Sequence, residues 1–143
     1  MEETFAKYIN VNGELMDLSR PQVMGILNVT PDSFYADSRK QAEEDIINRV
    51  HQIIEEGGRI IDIGAYSSRQ DAEDVSPEEE MQRLKHGLQV IRREFPDAIV
   101  SVDTFRADVA RMCVEEYGTT IINDISAGDL DVNMFSTVAK LKV

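Results

Sequence analysis

In four places the sequence leaves an apolar stretch and runs straight into side chains that bind rather than fill space. "QVMGILNV" delivers Asn28, with Thr30 and Asp32 close behind. "RIIDIG" is followed by Ser67, Ser68 and Arg69, "AIVSVDT" ends in Asp103 and Thr104, and "TIINDI" carries Asn123 and Asp124. Carboxamides, carboxylates, hydroxyls and a guanidinium are the donors and acceptors of a hydrogen-bonding site. No covalent nucleophile stands out among them. Cys113 falls on the inward face of a helical segment and reads as a small buried hydrophobe. His51 and His86 share no ligand spacing and read as surface residues of helices. For any one tip residue the plainest alternative is a helix cap or turn former. That suits Thr104 and Asp124. It suits Asn123 poorly, because Asn123 interrupts an apolar run where an unpaired amide is costly.

The elements that must hold these tips are legible in the pattern. The four apolar runs are near-continuous rather than alternating, as in parallel strands covered on both faces. Between them the period lengthens to that of helices. Ile46, Ile47, Val50, Ile53 and Ile54 form one stripe, closed by Gly57-Gly58. Ser76-Pro77-Glu78-Glu79 predicts a capping box with proline at the first helical position. Met81, Leu84, Leu88 and Ile91 then line one face up to Pro96. A third helix is predicted over Arg106 to Tyr117, with Val109, Ala110, Cys113 and Tyr117 inward and Gly118 as its stop. A weaker helix follows near Met134 to Leu141. Ahead of all this, "YINVNGELMDL" holds Asn12-Gly13 between strand-like flanks and predicts a hairpin over residues 7–18.

A hairpin followed by β-α-β-α-β-α-β predicts an α/β fold with right-handed crossovers. No glycine-rich phosphate fingerprint, neither GxGxxG nor GxxxxGKS/T, follows any strand, which disfavours an open nucleotide-binding sheet. A (β/α) barrel is the better fit, and there the carboxyl ends of the strands build the active site.

Composition narrows the partners. Among 143 residues, 15 Lys+Arg stand against 27 Asp+Glu, a net charge of -12. That argues against a nucleic-acid or anionic-membrane surface. No apolar run approaches the roughly 20 residues of a membrane span, and "MEETFAKY" lacks the regions of a signal peptide. The single cysteine excludes an internal disulfide and fits a reducing, cytoplasmic compartment. "NVT" at Asn28 matches a glycosylation sequon, but Pro31 follows at once and nothing points to secretion.

Taken in order, "MGILNVTPDSF", "DIGAYSSR", "SVDTF" and "INDISAG" resemble dihydropteroate synthase, and the likeness runs from about the hairpin to the last residue. The resemblance implies the N-terminal part, about four β/α units, of a TIM-like (β/α)8 barrel preceded by a β-hairpin. It also implies a transferase of folate biosynthesis and a sulfonamide target. Such an enzyme condenses a pterin pyrophosphate with p-aminobenzoate, with Mg2+ as cofactor. Asn28 resembles the asparagine that meets the metal-bound pyrophosphate. Thr30, Pro31, Asp32, Ser33 and Asp37 fall in the mobile first loop, and Phe34 in the aminobenzoate pocket. Ser68 and Arg69 resemble a Thr-Arg pair that holds pyrophosphate and aminobenzoate, and Asp103 and Asn123 a pterin-binding pair. The implied chemistry is loss of pyrophosphate and attack by the aminobenzoate amine, with no protein nucleophile.

The sequence departs from the family pattern at both loops. "FYADSR" stands where "FSDGG" is common, and "GAYSSRQD" where "GGESTRPG" is usual, so that Gln70 replaces proline and Tyr66 replaces glutamate. A barrel of this kind takes about 250 residues. Residues 1–143 are therefore expected to form the N-terminal half of the barrel, with an unpaired fourth-strand edge prone to association. The half alone is expected to show little activity, and the full-length protein to be a homodimer. Two alternatives remain: a methyltetrahydrofolate methyltransferase type of pterin-binding barrel, and a non-catalytic half-barrel that associates with itself.

Overall fold

The computed structural model describes residues 7–29, 36–65 and 75–143. Strands β1 (Tyr8–Val11) and β2 (Glu14–Asp17) pair antiparallel, as the Asn12-Gly13 turn requires. Both turn residues adopt positive φ, 53° and 85°, the left-handed geometry that Asn-Gly tolerates best. Four strands follow: β3 (Met24–Asn28), β4 (Ile60–Gly64), β5 (Ile99–Asp103) and β6 (Ile121–Asn123). They alternate with helices α1 (Ala36–Glu55), α2 (Pro77–Glu94) and α3 (Ala107–Tyr117), and α4 (Met134–Leu141) comes last.

The sheet is parallel and its strands lie in chain order, β3-β4-β5-β6. A doubly wound sheet reverses its order at a switch point; this one does not, as in a barrel. Register fixes which residues share a face. Leu27, Ile63, Val102 and Ile122 stand in one row, turned toward the helices. With Val50, Ile53, Leu84, Leu88, Ile91, Val109 and Cys113 they build the main core. The next residues along, Asn28, Gly64, Asp103 and Asn123, must by the two-residue period of a strand face the other way. The amino end of that face is covered by the hairpin, where Val11 and Met16 pack on Ile60, Ile99 and Ile121.

Several expectations need correcting. Only β4 is buried along its whole length; Ile26 in β3 is 59% exposed. Among the described residues β3 and β6 each have a single neighbouring strand. Ile54 leaves the α1 stripe and is exposed, while Ile46, Val50 and Ile53 are buried. The capping box is half formed. Ser76 Oγ accepts the Glu79 N–H at 3.2 Å, but the Glu79 carboxylate pairs with Arg83 instead of reaching back. His86 is half-buried rather than a surface residue and lines a cavity of about 460 Å³ with Ile26, Asn28 and Arg49.

α3 ends on Gly118, at φ 64°. A Cβ built there meets nothing within 4 Å, so only the left-handed backbone resists a side chain. Gly118→Ala is therefore expected to cost about 1 kcal/mol, read as a lower urea midpoint with an unchanged slope.

Candidate functional site

The row Asn28, Gly64, Asp103, Asn123 is the site's backbone, because the register of the sheet brings all four to one height. Gly64 supplies the space. A Cβ in its place would stand 3.5 Å from Asn28 Oδ1 and 3.7 Å from Asp103 Oδ2, filling the gap between carboxamide and carboxylate. The pairing runs one residue past each strand, Val29 N–H to Gly64 O at 2.8 Å and Thr104 N–H to Asn123 O at 3.1 Å. The tips are therefore held by backbone rather than left to fray.

Asp62 was not among the expected site residues. It lies two residues below Gly64 on the same face and is only 6% exposed. Its Oδ2 accepts from Asn123 Nδ2 at 3.0 Å, and its Oδ1 finds no hydrogen-bond partner among the described residues. Asn123 itself is exposed, so its amide is not the deeply buried group the apolar run suggested. Asp62 accepts from that amide and so orients it. The argument used for Asn123, a polar residue inside an apolar strand, applies equally to Asp62 in "RIIDIG" and would have found it.

Asp103 is half-buried. Burial, then the neighbouring carboxylates of Asp62, Glu80 and Asp124, push its pKa up to about 6. A carboxyl poised there beside a second acidic group is a mark of a functional position. Asp124 belongs to the turn. Its carboxylate accepts from Ser126 N, Ser126 Oγ and Gly128 N, at 2.8, 2.7 and 3.0 Å. Thr104 likewise serves a local turn, its Oγ1 accepting the Arg106 N–H at 3.2 Å.

Thr30, Pro31, Asp32, Ser33, Phe34, Ser68 and Arg69 lie outside the described residues. Asp37 lies in the first turn of α1, where a negative charge faces the helix's positive end. The connection bearing Ser68 and Arg69 departs at Ala65 and returns at Val75. Both flanking carbonyls are held by arginines of the scaffold, Arg83 at 2.8 Å and Arg106 at 2.9 Å.

Residues 24–143 match the model of the pterin binding enzyme family. The chain belongs to that family. Dihydropteroate synthase of Haemophilus influenzae is 40% identical over 130 residues, covering 91% of this chain and 46% of that protein. The mitochondrial folate synthesis bifunctional protein of Arabidopsis thaliana is 40% identical over 142 residues, covering 97% of this chain and 26% of that one. The solved dihydropteroate synthase of Xanthomonas albilineans with 4-aminobenzoic acid superposes with a TM-score of 0.78 at 34% identity, over 96% of this chain and 50% of that chain. The chain thus spans half or less of each relative. This pterin-binding family member carries the parallel sheet and alternating helices of those barrels, with the separate hairpin ahead of them.

A cation, if held here, would meet Asn28. Among the described residues no three His, Cys, Asp or Glu side chains come together as a metal cage. A hard ion that keeps its waters and takes phosphate oxygens needs only one or two protein oxygens. Asn28 Oδ1, with no side chain on Gly64 beside it, would offer one such oxygen.

Proposed function

We propose that this chain supplies the pterin half of a dihydropteroate synthase site, joining 6-hydroxymethyl-7,8-dihydropterin pyrophosphate to p-aminobenzoate with release of pyrophosphate. The observation that carries the reading is the single row of Asn28, Asp103 and Asn123, opened by Gly64, with the spare Asp62 oxygen beneath it. A flat heterocycle with N–H donors on one edge matches acceptors set in a row, and each pairing left unmade would cost about 1–3 kcal/mol. Asp103 and the Asn123 carbonyl accept from the ring edge, and Asp62 keeps the Asn123 amide turned.

Asn28 is the residue that would hold magnesium. When bound, the ion neutralises charge on the departing pyrophosphate. Ser68 and Arg69 would hold that anion and the aminobenzoate carboxylate, Arg69 through its forked donors. Phe34 would form an apolar wall for the aminobenzoate ring, and Thr30, Pro31, Asp32 and Ser33 the closing loop, with Asp37 at its α1 end. The residues bind, orient and exclude water; the amine of the second substrate is the nucleophile.

Assembly as a homodimer and a cytoplasmic location belong to the same proposal. A relative named as mitochondrial sets the alternative location, which fractionation of source cells would decide.

The test is pyrophosphate release by the full-length protein, expected only when both substrates are present. In calorimetry, Asn123→Ala is expected to weaken pterin pyrophosphate about tenfold, equivalent to about 1.4 kcal/mol. Unchanged affinity would remove the pocket assignment.

A further inference from the structure

Behind the acceptor row lies a buried ion pair that the proposed reaction leaves unused. Glu80, at the end of the first turn of α2, has no solvent exposure at all. Its Oε1 accepts from the Thr104 hydroxyl at 2.7 Å and its Oε2 from the Arg106 guanidinium. Arg106 also donates to the Val75 carbonyl at 2.9 Å, and its guanidinium lies 4.7 Å over the Phe105 ring. Thr104, fully buried, makes the cross-connection. It is peptide-bonded to Asp103, gives its own N–H to Asn123 O at 3.1 Å, and gives its hydroxyl to Glu80.

A carboxylate is a poor choice if α2 and α3 need only to adhere. Desolvating an ion pair costs several kcal/mol, and well-packed apolar residues often do as well or better. Hydrogen bonds to a fixed carboxylate do something apolar contacts cannot: they select one distance and direction. Here the selected atom is the hydroxyl of the residue joining the two acceptors of the site.

We propose that Glu80 and Thr104 are positioning residues for the Asp103–Asn123 acceptor pair. Glu80, acting through the Thr104 hydroxyl, fixes the height of the β5 tip against the β6 tip, and so the spacing the heterocycle meets. The inference rests on the pterin-site reading above.

The test uses the full-length protein and two replacements. Thr104→Val keeps the shape and removes the hydroxyl; Thr104→Ser keeps the hydroxyl. Calorimetry is expected to show Thr104→Val weakening pterin pyrophosphate about tenfold, near the upper end for one hydrogen bond, with the p-aminobenzoate KM unchanged at saturating pterin. Thr104→Ser restores wild-type affinity. In the ligand-free protein, NMR should show the Asn123 side-chain amide resonances displaced by Thr104→Val and returned by Thr104→Ser. Should Thr104→Val fold poorly, Thr104→Ala provides the same comparison.

A Thr104→Val protein that melts lower yet binds pterin as wild type does would overturn the proposal, leaving Thr104 a stability residue only. A wild-type protein without measurable pterin affinity would overturn the site reading instead. The amide resonances, which need no ligand, would still decide whether Thr104 sets the pair.

Discussion

Arg106→Met is expected to lower stability by about 3–5 kcal/mol, because it leaves the Glu80 carboxylate buried without its cation. Most domains have only about 5–15 kcal/mol to lose. Glu80 is fully buried and the Arg106 side chain 22% exposed, so water reaches the pair from one side and the loss should fall toward the lower figure. A second replacement separates charge from packing. In the Glu80→Gln, Arg106→Met double variant no charge remains, while the amide oxygen still accepts from Thr104. Most of the stability is then expected to return. Urea unfolding of both variants reads the comparison directly; a single variant within about 1 kcal/mol of wild type, the range of a surface pair, would show that the ion pair does not hold this corner.

Asp103→Asn is expected to move stability and binding in opposite directions. In the unfolded chain the carboxyl ionises near its ordinary 3.8, and in the folded protein burial and nearby carboxylates hold it at about 6. Between those values the folded state keeps a proton that the unfolded state has lost. Stability therefore falls as pH rises from about 4 to about 6 and levels off above. A neutral amide removes that penalty, so Asp103→Asn should melt higher than wild type at pH 7.5 and equally at pH 3.5. The side chain is half exposed, so solvent screening limits the gain to about 1 kcal/mol. Binding should suffer meanwhile. An amide nitrogen facing ring donors forfeits the acceptor, at about 1–3 kcal/mol or roughly ten- to hundredfold in affinity. Wild-type affinity should itself rise with pH through about 6, as the carboxylate forms. Equal melting temperatures at pH 7.5 would contradict the first half, and a flat pH profile of affinity the second.

The parts of this architecture written in local pattern were legible in advance. The hairpin follows from Asn12-Gly13, the start of α2 from Ser76-Pro77, and the end of α3 from Gly118, each through the backbone geometry of those residues. The tips Asn28, Asp103 and Asn123 were legible because polar residues closing apolar strands are conspicuous. What the pattern hid was partnership across the sheet. Asp62 belongs beneath Asn123, 61 residues away in sequence, and only register reveals it. Glu80 stands among three consecutive glutamates, directly after the two assigned to the capping box, and drew no reading of its own. Yet it lies four residues ahead of Leu84, on the buried stripe through Leu88 and Ile91. A charge on the apolar face of a helix asks for a buried partner, and here two are supplied.

The core placement of Cys113 has a practical side. It is the only cysteine in the chain, has no solvent exposure, and burial first, then Glu80 and Glu116, push its thiol up to about 12. Thiolate is the species that alkylates, so at neutral pH this sulfur is silent toward maleimides and oxidants. Residues 1–143 therefore add no background to thiol labelling. One cysteine introduced at an exposed position, such as Ile125→Cys beyond the β6 tip, would carry a fluorophore or spin label without competition from Cys113.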